Sequence, residues 1–255
     1  GNPMRRDDFS YGIAFVEYGF LDEAQAAFER VVKTQPDHAG AWFNLGTVFL
    51  SRKEYAEAQR CLREAVRVNP QDSDAWNNLG LIAGEQEKYD DALESFRQSA
   101  RANPNHLVAV QNMMRIYQFQ ARPADAEKAM QELVVKAPEN ADLHLGLAMA
   151  LLGQDKTPAA RAELETAIRL RPEFVDAINN LGAVLLQSGD TDGALQQFER
   201  CRQLAPDFDR ATINLANIYN RIGKTAEARD ILEQFQSRHP ENTDVRDALQ
   251  KLVPR

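Results

Sequence analysis

Asparagine recurs in this sequence at a fixed register: Asn44, Asn78, Asn112, Asn180 and Asn214 are separated by 34 residues or a multiple of 34. A carboxamide both donates and accepts hydrogen bonds, so it can pair with both backbone groups of an extended peptide. Repeated along one surface, such residues would grip main chain while reading little of its side-chain sequence. The competing reading is that these amides cap, solvate or brace neighbouring helices. A second constellation is Arg210, Asn214, Asn217 and Arg221, spaced i, i+4, i+7 and i+11 and therefore on one helical face. Two guanidinium groups flanking two amides suit a carboxylate or an acidic segment. The alternative is an ordinary solvated face.

Other chemistry finds little support. Cys61 and Cys201 are 140 residues apart and stand in separate units of the pattern described below, too far apart for a disulfide. They read as small apolar residues in helix seams. His38, His106, His144 and His239 fall into no His-x-x-x-His or Cys-x-x-Cys grouping, so no metal site is expected. No glycine-rich phosphate loop and no Gly-x-Ser-x-Gly turn is present. The chain is expected to be non-enzymatic, without cofactor or metal.

The elements that would position the asparagines follow from a wider periodicity. Pro36, Pro70, Pro104, Pro138, Pro172, Pro206 and Pro240 share the 34-residue spacing. At a background of roughly 5% Pro, one register filled seven times by chance has a probability on the order of 10⁻⁹. Twelve residues before each proline stands an alanine, from Ala24 to Ala228. Eight before it stands a large apolar residue: Phe28, Leu62, Phe96, Met130, Leu164, Phe198 and Leu232. Tyr11, Leu45, Leu79, Met113, Leu147, Leu181 and Leu215 form another apolar register. The residue after each of these is small (Gly12, Gly46, Gly80, Ala148, Gly182, Ala216) except Met114.

This spacing predicts two amphipathic helices per unit, at about unit positions 1–14 and 18–30. Breaks separate them at Tyr18-Gly19, Arg52-Lys53, Ala121-Arg122, Ser188-Gly189 and Ile222-Gly223. One helix pair cannot bury its own apolar face, so the units must stack. Met113-Met114 in the fourth unit should push its two helices apart or shift their crossing.

Trp42-Phe43-Asn44-Leu45-Gly46, Trp76-Asn77-Asn78-Leu79-Gly80 and Ile178-Asn179-Asn180-Leu181-Gly182, with the downstream Ala, Phe/Leu and Pro positions, resemble the tetratricopeptide repeat (TPR). The resemblance implies an all-α, right-handed superhelical α-solenoid of seven helix-turn-helix units. Their bounds are 5–38, 39–72, 73–106, 107–140, 141–174, 175–208 and 209–242. A capping helix is expected over 243–252, and stacking implies one continuous core.

In this family the first helices line a concave groove through unit positions 2, 5, 6, 9 and 13. The resemblance places the five asparagines there, together with Phe43, Asn77, Arg115, Phe119, Leu145 and Met149. The ladder resembles that of the O-linked N-acetylglucosamine transferases. Phe119, Leu145 and Met149 would form an apolar spot for a partner side chain, Met being adaptable, unless they merely repack a drifted unit. Asp74, Glu85, Asp142 and Asp176 would make the groove acidic in the third, fifth and sixth units, and Arg210, Asn217 and Arg221 basic in the seventh. The last group is similar to the carboxylate clamp of chaperone adaptors but lacks its Lys and Asn in the preceding units.

The chain is 44% hydrophobic and 27% charged with a net charge of −8, which argues against duplex nucleic acid as partner. Its longest apolar stretch, Leu145 to Leu152, is too short to span a bilayer. Gly1-Asn2-Pro3-Met4 has no secretory-signal character. Leu252-Val253-Pro254-Arg255 reads either as the remnant of a protease-cleavable tag, with an upstream signal or anchor cut away, or as native sequence. A cytoplasmic location is expected, or a periplasmic one if a signal was trimmed. Three classes of function fit: a scaffold binding an extended peptide or protein, the adaptor region of a larger enzyme or membrane or secretion assembly, and a self-assembling structural protein.

Overall fold

The computed structural model describes residues 8–252. Residues 5–7 of the first repeat and 253–255 of the tag-like end lie outside them. Each repeat folds as a helical hairpin. The first helices are α1 (Asp8–Glu17), α3 (Ala39–Ser51), α5 (Ser73–Glu85), α7 (Leu107–Phe119), α9 (Ala141–Leu152), α11 (Val175–Gln187) and α13 (Asp209–Arg221). The second helices are α2 (Leu21–Thr34), α4 (Tyr55–Val68), α6 (Tyr89–Ala102), α8 (Pro123–Lys136), α10 (Thr157–Leu170), α12 (Thr191–Leu204) and α14 (Thr225–Arg238). A last helix, α15 (Thr243–Lys251), follows. The second helices begin at unit position 17, one residue earlier than the sequence pattern suggested.

Local chemistry sets these bounds. The recurrent proline falls two residues beyond each second helix, where a residue without a backbone donor cannot continue the ladder. Asp72, Asn140, Asp190 and Asn242 cap the helices that follow them, each accepting from a backbone N–H of the first turn. His38 does the same for α3 through Nδ1. Trp42 and Trp76 donate from Nε1 to the carbonyls of Pro36 and Pro70 at 2.7 and 2.9 Å, tying a first helix to the turn before it.

The turn inside each hairpin needs one left-handed residue at unit position 15. Gly19, Gly189 and Gly223 supply it with φ of 79, 86 and 83°; Lys53, Glu87, Ala121 and Asp155 adopt the same conformation at 51–60°. The hairpin is then closed by small-on-large packing. A Cβ built on Gly80 would lie 2.5 Å from the Phe96 ring, so the two helices meet at backbone distance. Phe28 on Gly12, Leu62 on Gly46 and Phe198 on Gly182 repeat the arrangement.

The fourth hairpin departs from this pattern. Met114 occupies the glycine position opposite Met130, and both methionines are buried. Helices α7 and α8 make the loosest pairing of the seven hairpins, and α8 also touches α6. The extra side chain leaves no room for backbone approach, as the sequence pattern implied.

The helices group into two compact units, dividing after Pro138. The division follows directly on the hairpin that lacks the small residue. In the first unit α1, α3 and α5 lie side by side, and Phe28, Leu45, Phe49, Leu62, Leu79 and Ile82 form the core between them and the second helices. In the second unit α11, α13 and α15 form the corresponding row. There α15 lies on α14, burying Val245 and Leu252 against Leu232 and Phe235. The Leu252 carbonyl accepts from Arg229 at 2.9 Å, so this first residue of the tag-like tetrapeptide is packed into the fold.

Candidate functional site

The five periodic asparagines stand at equivalent places on α3, α5 and α7 in the first unit and on α11 and α13 in the second. All five are half-buried. Two serve the fold. Asn44 donates from Nδ2 to the Gly40 carbonyl of its own helix at 2.7 Å. Asn214 donates from Nδ2 to Oδ1 of buried Asn179 at 3.2 Å, bridging α13 to α11. Asn78, Asn112 and Asn180 make no side-chain hydrogen bond among the described residues. Asn77 is only 7% exposed, and its Oδ1 is buried with no protein partner. Phe43 is half-buried against the core of the first unit.

Three of the four acidic groove candidates are engaged in ion pairs. Asp74 accepts from or pairs with His106 Nε2 at 2.9 Å, and Asp142 pairs with Arg171. Asp176 binds Arg210 at 3.0 Å, and the Arg210 guanidinium also lies over the Phe208 ring at 4.8 Å. Of the predicted anion-holding set, Arg210 is thus tied to a carboxylate and Asn214 to Asn179. Asn217 and Arg221 are exposed and without a partner among the described residues, as is Arg115 on α7.

Phe119, the last residue of α7, is 73% exposed and packs its ring against Tyr89 at 5.4 Å between centroids. Leu145 and Met149 are half-buried on α9. Phe119 belongs to the first unit, Leu145 and Met149 to the second.

One constellation resembles a nucleophilic triad. Ser99 Oγ lies 3.4 Å from His106 Nδ1, while His106 Nε2 faces Asp74. The hydroxyl cannot serve as a nucleophile, because Ser99 is fully buried and donates its proton to the Ser73 carbonyl at 2.7 Å. Cys201 occupies the same unit position and lies 3.5 Å from the Val175 carbonyl. Burial pushes the Cys61 thiol up to about 11 and the Cys201 thiol up to about 12, so both stay protonated near neutrality. His144, buried at the hairpin seam, meets Glu163 at 2.5 Å. No group of three His, Cys, Asp or Glu side chains suited to a metal ion occurs among the described residues. Nor, among those residues, is any helix long and apolar enough to cross a membrane.

Reasoning from the sequence missed Asn179 and Tyr89. Asn179 occupies the unit position of Asn77, which was the available signal; nothing periodic marked Tyr89.

Stacked helical hairpins that present a row of polar first-helix side chains define a helical-repeat interaction scaffold. The family model of the cilia and flagella-associated protein 70 C-terminal domain, a TPR model, matches residues 11–177, and a tetratricopeptide repeat model matches residues 185–252. The first spans well over half of the chain, and the chain belongs to the tetratricopeptide-repeat family. No curated protein matches the sequence. Among solved structures, the C-terminal part of a TPR protein from Cytophaga hutchinsonii is similar with a TM-score of 0.67 at 14% identity, over 94% of this chain and 99% of that one. YrrB, described as a TPR protein with an unusual peptide-binding site, is similar with a TM-score of 0.54 at 18% identity, over 72% and 95%. A chain of the Cut9–Hcn1 hetero-tetramer of the APC/C is similar with a TM-score of 0.61 at 16% identity, over 99% and 50%. At these identities the likeness is one of fold. Members of this family are in general non-enzymatic scaffolds for protein–protein interaction.

Proposed function

We propose that this chain is a non-enzymatic scaffold that holds an extended segment of a partner protein along its first-helix face, gripping the segment's main chain with side-chain amides. The observation that carries this reading is the state of Asn78, Asn112 and Asn180: three in-register carboxamides, half-exposed and without intramolecular bonds. An unspent amide on a rigid helix can exchange water for a peptide N–H and C=O at little conformational cost. Asn44 and Asn214 act as braces in this scheme, so the grip rests on three rungs rather than five. Phe119 offers an apolar contact on α7, the helix that carries Asn112, and Leu145 and Met149 offer one on α9. Arg221 and Asn217 attract an acidic stretch at the seventh repeat.

The test is a random-sequence peptide array probed with the wild-type chain and with the Asn78→Ala/Asn112→Ala/Asn180→Ala variant. At about 1 kcal/mol per hydrogen bond, the variant should bind array-selected peptides on the order of 100-fold more weakly, with unchanged helicity. Equal binding by the two chains removes the ladder from consideration.

A second reading is self-association through the first hairpin, where Tyr11, Val16, Tyr18 and Phe20 are all exposed. Sedimentation across a concentration range separates the two, since the peptide scaffold stays monomeric.

A further inference from the structure

The displacement of α8 from α7 opens a cleft of about 270 Å³ between α6 and α8, on the second-helix side of the first unit. Its walls are Arg97 and Arg101 from α6, Arg122 from the turn, and Asp125, Lys128 and Glu132 from α8. Four cations face two carboxylates there, in a chain whose net charge is −8.

The guanidinium groups are held rather than loose. Arg101 donates from Nε and Nη2 to the two carboxylate oxygens of Glu132 at 2.7 and 3.0 Å. Arg122 donates to Asp125 and to Asp90, both at 2.7 Å. Arg97 donates to Glu94 at 3.1 Å and to the hydroxyl of buried Tyr117 at 3.2 Å. Asp90 and Glu94, each bonded to one of these guanidiniums, bring the carboxylates to four against the four cations. Each guanidinium has five donors, so every one of these arginines keeps N–H groups in excess of its bonds. Lys128 has no partner among the described residues and is exposed.

We propose that this cleft binds an oxyanion of the phosphate class, independently of the first-helix face. Pinned guanidiniums lose little side-chain freedom on binding, and a tetrahedral dianion can accept from Lys128 Nζ and from the unspent edges of Arg101 and Arg122 at once. A planar monoanion such as a carboxylate fills fewer of these donors than a tetrahedral dianion does. The group comes either as free phosphate or as a phosphorylated side chain of a partner.

The test is a titration of the ¹⁵N-labelled chain with inorganic phosphate, then with a short phosphoserine peptide, at constant ionic strength, with acetate as control. Arginine Nε–H signals and the backbone amides around Arg101 and Lys128 report binding. The site predicts saturable shifts confined to α6 and α8, weakened at least threefold by Lys128→Gln, which breaks no bond of the fold. A tenfold tighter phosphopeptide identifies a phosphorylated partner; equal affinities identify free phosphate. Absence of shifts with both phosphate probes, equal shifts with acetate, or an unchanged affinity in Lys128→Gln overturns the proposal.

Discussion

Gly80→Ala and Gly84→Ala place the same methyl group on one helix, α5, and should move stability in opposite directions. A Cβ on Gly80 would sit 2.5 Å from Phe96 Cε1 and 2.6 Å from Cδ1. That is about 1 Å inside the optimal carbon–carbon separation. Phe96 is fully buried and cannot swing into solvent, so the hairpin must open or the ring leave its rotamer. Such overpacking costs about 1–3 kcal/mol, while alanine in a helix gains about 1 kcal/mol over glycine. The net expectation for Gly80→Ala is a loss of up to about 2 kcal/mol. A Cβ on Gly84 meets nothing within 4 Å. Only the propensity gain remains there, about 0.5–1 kcal/mol because the site lies in the last turn. Urea unfolding followed by circular dichroism measures both, and amide exchange in α5 and α6 localises the effect, since repeat arrays need not unfold in one step. A Gly80→Ala variant as stable as Gly84→Ala would refute the backbone-contact account of hairpin closure, and with it the explanation of the open fourth hairpin.

Two further outcomes follow from the same geometry. Glu87→Gly should stabilise the chain by about 0.5–1 kcal/mol in thermal or urea unfolding. A left-handed non-glycine residue costs roughly 1–2 kcal/mol, of which the extra unfolded-state entropy of glycine returns about half. The buried thiols should resist a disulfide exchange reagent at pH 8, where thiolate fractions are about 10⁻³ for Cys61 and about 10⁻⁴ for Cys201. Because burial raises both values, reactivity should grow with pH well above 8 and become complete for both thiols in urea. Rapid native labelling at pH 8 would show that these seams open.

Much of the architecture was legible because the constraints that create it are local. Unit positions 8 and 24 lie 16 residues apart in one hairpin, and a glycine facing a Phe or Leu is enough to read their contact. The recurrent proline marks where each second helix stops. The Met113-Met114 departure marks the hairpin that cannot close. The ladder was legible only as a set of positions. Whether a rung is free depends on rotamers and on small offsets between neighbouring helices: Asn44 turns back onto Gly40, and Asn214 reaches across to Asn179. Likewise Arg210 and Asp176, 34 residues apart and assigned to the basic seventh and acidic sixth units of the groove, prove to be one ion pair.

The sequence by itself determined the hairpin, its repeat length, its caps and the residues that face its seam, since each is enforced by bonding or steric contact within a single 34-residue unit. Only the tertiary structure decided which amides stay unspent, where the helices divide into two units, and that an arginine-lined cleft opens beside α8. Those outcomes turn on shifts of about an ångström between helices of successive repeats, the scale over which a hydrogen bond is made or lost.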